Sequence, residues 1–384
     1  MPPPTSPTAD RPEPVPPGTT GSGAMAPPEV FDREWLTLAD GQQMCVHHAG
    51  QPGGRPLLVL HGGPGSAQSP ALWQACAGLP VHLIAPDQRG CGQSRPAGAA
   101  SLWASAADGL RTPANTLPLL LDDLRRLHHH LRPRLARARW GVLGGSWGAT
   151  LALAHAVDAP SQVDGLVLRA TFVGRPRDVA AFFGIGTDAL DGLLARLAQD
   201  LDSADPQRVA RTARHWWAWE RRQALGATAW RQALAAGTIS RTASFDPDAL
   251  PPPPCQPWPE GPALDALITR YRIQIAWLRR GCDLQPGLIE RARTLAPMPV
   301  HLLHAADDRV CPAAAARELA AALPEPARVH WRLLPEGGHD PLQPALRSAQ
   351  RQALQAWLAT DTDGQGIAVD GTGSGPAASP GHPA

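Results

Sequence analysis

Between residues 57 and 334 the sequence repeats a pattern that few folds can absorb. Short continuous apolar runs, Leu57-Leu58-Val59-Leu60, Val81-His82-Leu83-Ile84, Gly141-Val142-Leu143, Leu166-Val167-Leu168, Val300-His301-Leu302-Leu303 and Trp331-Arg332-Leu333-Leu334, recur with polar or helix-period sequence between them. A strand that is apolar at every position is covered on both faces, which is the situation of a parallel sheet between helical layers. Thr116–Leu131, Trp147–Val157, Ala313–Leu323 and Ala345–Leu358 carry the 3.6-residue period of the covering helices. Upstream, Glu34–Leu38 and Gln43–His48 flank an Asp40-Gly41 hairpin signal. The expected fold class is α/β, a mostly parallel sheet flanked by helices.

The alternation breaks between 175 and 293, where Arg, Ala and Trp dominate and Pro251-Pro252-Pro253-Pro254 interrupts a helical pattern. This predicts a helical cap, 175–293, inserted between two parts of the core, 30–174 and 294–360, with a poorly ordered interior loop near 237–262. The Pro-rich stretch 1–29 and the Gly/Ser/Pro/Ala-rich stretch 361–384 offer little to bury and are expected to be a disordered leader and tail. Met25 is an alternative start.

Gly144-Gly145-Ser146-Trp147-Gly148 joins the predicted strand 141–143 to the predicted helix 147–157. A G-x-S-x-G elbow in that setting holds its serine in a strained turn with the hydroxyl projecting, and the helix N-terminus behind it favours developing negative charge. Ser146 is therefore the candidate nucleophile. His61-Gly62-Gly63-Pro64-Gly65 follows the strand 57–60, where bare backbone can offer N–H groups to an oxyanion. One donor is assigned to Gly63, with Gly62 as the alternative, and the other to Trp147; His61 is read as a loop anchor.

In hydrolases with this elbow the acid and then the base come later in the chain. Asp307-Asp308 follows the strand 300–303, and Glu336-Gly337-Gly338-His339 follows the strand 331–334, both beyond carboxyl ends of strands. His339 is the candidate base, and spacing alone leaves Asp307 and Asp308 both open as its orienting acid.

Composition removes other chemistries. All the Lys+Arg total of 35 is Arg, so a Schiff-base lysine, a P-loop lysine and a Ser-Lys dyad are excluded. A net charge of +1 gives no footprint for nucleic acid or an anionic membrane, and no apolar run approaches the roughly 20 residues of a spanning helix. Six Cys without a Cys-x-x-Cys pair and without a secretory signal point to reduced thiols and a cytoplasmic location. His128-His129-His130 lacks partners at ligand spacing and is read as a solvated helical face. No metal or cofactor is expected, and the sequence leaves the oligomeric state open.

These motifs resemble the prolyl aminopeptidase (proline iminopeptidase) family of α/β-hydrolases over roughly residues 30–360. The resemblance is carried by 61–65, by Asp87-Gln88-Arg89-Gly90-Cys91-Gly92-Gln93-Ser94, by Asn115-Thr116, by 144–148, by His304-Ala305-Ala306-Asp307-Asp308-Arg309-Val310-Cys311-Pro312 and by Gly338-His339. It implies a serine aminopeptidase releasing an N-terminal residue, preferably proline, from short peptides without metal or cofactor, and it selects Asp308 as the triad acid. It also implies cap carboxylates for the substrate's amino group. Trp216-Trp217-Ala218-Trp219-Glu220 looks like one such motif and nominates Glu220; Phe172 matches a position lining the proline pocket. The second cap carboxylate has no counterpart: Arg272-Ile273-Gln274 stands where the family has Arg-Ile-Glu, so Gln274 keeps an acceptor but no charge. That departure motivates an alternative, an esterase, amidase or lactonase acting on uncharged small molecules with the same triad. Within Asp87–Ser94, Asp87 and Arg89 are expected to pair with each other and fix a tight loop.

Overall fold

The computed structural model describes residues 26–105, 111–239, 244–247, 257–324 and 328–360. The Asp40-Gly41 turn behaves as its residues predict. Strands β1 (Val30–Thr37) and β2 (Gln43–Gly50) pair antiparallel, with Gly41 at φ 80° and the Leu38 N–H donating to Gln42 O at 2.8 Å. There follow β3 (Arg55–Leu60), α1 (Pro70–Trp73), β4 (Val81–Pro86), the small ribbon β5 (Trp103–Ser105) with β6 (Arg111–Pro113), α2 (Leu117–Leu131), β7 (Trp140–Gly145), α3 (Trp147–Asp158) and β8 (Val163–Arg169). Helices α4 (Pro176–Phe183), α5 (Leu190–Leu201), α6 (Pro206–Ala224), α7 (Ala227–Ala235), α8 (Pro262–Arg279) and α9 (Leu288–Ala292) intervene before β9 (Pro299–Ala305). The described residues end with α10 (Ala313–Ala322), β10 (Arg328–Leu334) and α11 (Pro344–Ala359).

Eight strands form one sheet in the order β1-β2-β4-β3-β7-β8-β9-β10, parallel from β4 onward. Consecutive residues of each central strand serve opposite faces. Leu58, Leu60, Val142, Leu166 and Leu168 pack with α2 and α3, whereas Leu57, Val59, Leu143 and Val167 pack with α1 and α11. Every residue of β3, β8 and β9 is buried, which is why their sequence is continuous rather than alternating. The run 331–334 differs: β10 lies at the sheet edge, and of its residues only Leu334 is buried. An edge strand meets a neighbour on one side only, so its apolar run is less covered than the pattern implies.

Helix α11 comes close enough to the sheet to lay Trp357 across Gly141 of β7 and Gly165 of β8. A Cβ at Gly165 would lie 2.6 Å from the indole, and one at Gly141 would run into it. Between β8 and β9 the intervening helices have their own core, including Phe183, Leu194, Leu197, Trp216, Trp219 and Tyr271, with Trp216 stacked on Tyr271 at 4.6 Å. Residues 1–25 of the expected leader, all of the expected tail, and half of the 237–262 loop, Pro251–Pro254 included, lie outside the described residues. Among the described residues no helix is long and apolar enough to cross a membrane.

Candidate active site

Ser146 sits between β7 and α3 at φ 56° and ψ −124°, a conformation costly for any residue with a side chain. The turn closes only because its flanks are bare. A Cβ on Gly144 would strike the Gly148 carbonyl, and one on Gly148 the Leu60 carbonyl. The Ser146 N–H donates to Arg169 O at 2.9 Å, tying the elbow to β8.

The glycine loop after β3 passes directly beside this serine. A Cβ on Gly62 would lie 3.2 Å from Gly145 O and 3.5 Å from Ser146 Cβ, so the backbone of 62–63 can approach the hydroxyl. His61 anchors the loop: its Nε2 accepts from Gln88 N at 3.0 Å, Gln88 Nε2 donates to His61 O at 2.9 Å, and the Trp147 indole donates to Gln88 Oε1 at 2.9 Å. Burial lowers the His61 pKa and keeps the ring neutral. The two segments nominated as oxyanion donors, around Gly63 and Trp147, are thus pinned to each other through Gln88.

His339 and Asp308 meet at the carboxyl ends of β10 and β9, with Nδ1 2.8 Å from Oδ2. The other Asp308 oxygen accepts from the amides of Val310 and Cys311, each at 2.9 Å. Burial alone would raise the Asp308 pKa, but the His339 contact and these amides hold it below its ordinary value. Asp307 faces elsewhere: it accepts from Gly337 N at 2.9 Å, Gly338 N at 2.8 Å and Ala227 N at 2.5 Å. So Asp308 is the carboxylate beside His339, and Asp307 fastens the loop that carries His339 to the start of α7. The His339 N–H itself donates to Ala224 O at 3.0 Å, at the end of α6.

Ser146, His339, Gly62, Gly63, Phe172, Glu220 and Gln274 all line one cavity of about 870 Å³. Phe172 holds its place through a 3.4 Å bond from its N–H to Ser146 O. Two further residues belong to this site: Arg169 lies in no sequence motif, and Cys311 lies in one that assigned it no role. Arg169, buried under the site, donates to His339 O at 3.3 Å, and its guanidinium occupies the space a side chain at Gly145 would need. The Cys311 thiol is hydrogen-bonded to the Ser146 side chain, and burial pushes its pKa well above the ordinary value. It is a packed thiol rather than a rival nucleophile.

Glu220 does reach the cavity, but it is not free. Arg270 Nη2 donates to its Oε1 at 2.5 Å and the Tyr271 hydroxyl to its Oε2 at 2.9 Å. Neighbouring Arg221 and Arg222 are not its partners in these bonds.

The expected Asp87–Arg89 pair does not form. Asp87 accepts from Gln68 N and Gln93 N, each at 2.9 Å, and lies 3.1 Å from His47 Nε2. Arg89 instead forks onto Asp123 at 2.6 and 2.8 Å and reaches Asp40 at 2.5 Å. Residues two apart diverge here because each finds a partner at longer range. Cys45, His47 and Asp87 are close enough to share an ion. Yet His47 already uses Nδ1 toward Arg33 Nε at 3.3 Å and Nε2 toward Asp87, which accounts for the cluster as a hydrogen-bond network.

Residues 55–342 match the family model described as alpha/beta hydrolase fold. The chain is 27% identical to a probable proline iminopeptidase of Leptolyngbya boryana, covering 89% of this chain and 98% of that protein. It is 29% identical to a putative proline iminopeptidase of Mycoplasma pneumoniae, covering 76% and 87%. A thermophilic esterase from Thermogutta terrifontis superposes with a TM-score of 0.53 at 21% identity, over 85% of this chain and 98% of its own. An esterase from Exiguobacterium antarcticum gives 0.54 at 16% identity, over 85% and 99%. The two structural likenesses speak to fold alone. With its sheet order, its serine elbow and a family match across most of its length, the chain belongs to the α/β-hydrolase family and is similar to proteins named proline iminopeptidase.

Proposed function

We propose that this protein is a serine peptidase that works through an acyl-enzyme, with Ser146 as nucleophile, His339 as general base and Asp308 orienting that base. The observation that carries the reading is the 2.8 Å contact between His339 Nδ1 and a fully buried Asp308 carboxylate, on loops opening into the cavity that Ser146 lines. With Nδ1–H committed to Asp308, Nε2 is the nitrogen free to take a proton.

Ser146 Oγ attacks the substrate carbonyl carbon as His339 Nε2 takes the hydroxyl proton. The carbonyl oxygen becomes an oxyanion, held by the amides of Gly63 (or Gly62) and Trp147. Collapse breaks the C–N bond, and the departing amine leaves with the proton from His339. Water then gives a proton to the same nitrogen, attacks the ester and regenerates the serine. Asp308 stays ionised throughout, stabilising the imidazolium.

Release of an N-terminal residue, preferably proline, from short peptides enters this reading from the names of the relatives. A cavity with Phe172 on one wall and Glu220 within reach supports it. A second reading, hydrolysis of uncharged esters, amides or lactones, is favoured by the Arg270 guanidinium on Glu220 and by Gln274 standing without a charge.

The test is Ser146→Ala assayed on proline 4-nitroanilide and a 4-nitrophenyl ester, with fluorophosphonate labelling of both proteins. Turnover should drop by at least about 10⁴-fold and labelling should vanish. Undiminished turnover, or a wild-type chain that takes no label, refutes the assignment.

A further inference from the structure

We propose that Arg270 decides the substrate class of this pocket: it neutralises Glu220, so the acyl group accepted best presents an uncharged N–H or O–H donor to Gln274 instead of a free ammonium. The inference rests on the acyl-enzyme reading above and, of its two substrate readings, takes the second over release of a free N-terminal residue.

Arg270 and Gln274 are four residues apart on α8 and so share a face. That helix packs directly on the glycine loop beside Ser146, since a Cβ on Gly65 would lie 2.5 Å from Arg270 O. Side chains of this face therefore border the reacting centre, and both Arg270 and Gln274 line the cavity. Across from them, each Glu220 oxygen already has a donor, the guanidinium on one and the Tyr271 hydroxyl on the other. Tyr271 is fully buried and stacked on Trp216, so its hydroxyl is a fixed partner rather than a passing one.

An incoming ammonium would meet a compensated ion pair. It would be drawn to Glu220 and repelled by Arg270 behind it, and would lose its hydration without a net counter-charge. Among the other charged residues of the cavity wall, Glu336 and Asp340 are outnumbered by Arg169, Arg221 and Arg347, so no wider negative field makes up the difference. Gln274 states the complementary demand. Its residue is 9% exposed, and Oε1 accepts no hydrogen bond among the described residues. A buried acceptor left open needs a donor from the ligand, and a neutral amide N–H or a hydroxyl supplies one without bringing charge.

The experiment compares kcat/KM at pH 7 for alanine 4-nitroanilide and N-acetylalanine 4-nitroanilide, which differ in whether the nitrogen is an ammonium or a neutral N–H donor. Wild type should favour the acetylated substrate by about tenfold or more, and Arg270→Met should move the ratio toward the free amine by at least about tenfold. Gln274→Glu, which leaves the Arg270 pair in place, should move it in the same direction and decides the matter if Arg270→Met does not fold. Equal or better use of the free amine by wild type overturns the inference, as does an unchanged ratio in both variants. A wild-type chain that turns over neither anilide and takes no fluorophosphonate label overturns the serine-hydrolase reading, and this inference with it; a labelled chain with the wrong ratio overturns this inference alone.

Discussion

The adjacent carboxylates of Asp307 and Asp308 face different partners, and substitution separates their contributions. Asp308→Asn keeps the shape but presents the His339 ring with an amide, which can favour the wrong tautomer. Turnover should fall by about 10⁴-fold, and the melting temperature should fall as well, because the lost charge also served the Val310 and Cys311 amides. Asp307→Asn removes a charge-assisted hold on three backbone amides. Its loss in turnover should be nearer ten- to a hundredfold, and it should also destabilise the protein by about 1–2 kcal/mol, read by denaturant unfolding. Equal kinetic losses in the two variants would contradict these roles. At this scale the sequence was readable where near neighbours set the backbone, as at the Ser146 turn and the Gly337-Gly338-His339 loop. It was opaque where the partner lies far along the chain: Arg89 meets Asp123 and Asp40, and Glu220 meets Arg270, fifty residues on.

The elements followed their sequence periods closely, because strands covered on both faces and helices with one apolar stripe leave distinct signatures. Helix α2 begins at Leu117 after Thr116, and α3 starts immediately after Ser146. What the periods did not carry is how near two elements come. The contact of α11 with β7 and β8 depends on Gly141 and Gly165 lying under one indole, with Trp357 Nε1 donating to Asp164 Oδ1 at 2.9 Å and Arg55 stacked 4.1 Å from its ring. Gly141→Ala forces a methyl group into that ring. It should destabilise the fold by about 1–3 kcal/mol, and Trp357→Leu in the same chain should recover part of the loss. Additive losses in the double variant would show that the indole is not what the methyl meets. Because β7 leads straight into the elbow, the single variant should also lower fluorophosphonate labelling of Ser146.

For the whole molecule, protonation links the buried and half-buried imidazoles to stability. Burial pushes the pKa of His155 down to about 3 and those of His82 and His301 down to about 4. In the unfolded chain each titrates near 6.5. Below that pH the unfolded state binds more protons than the native one, so stability is greatest above about 6.5 and falls as the pH drops toward 4. Asp87 and Asp308, both held below the ordinary carboxylate value, add their loss only at still lower pH. The melting temperature should fall by about 5 °C or more between pH 7.5 and 5, and a flat profile over that range would refute neutral burial of these rings.

The Asp307 carboxylate has a mechanical meaning as well. It grips the first amide of α7 and the two glycine amides ahead of His339 with the same pair of oxygens, while α6 holds the N–H of His339. Helix α7 and the His339 loop are in effect one latched piece, so that prising α7 away would drag the imidazole off station.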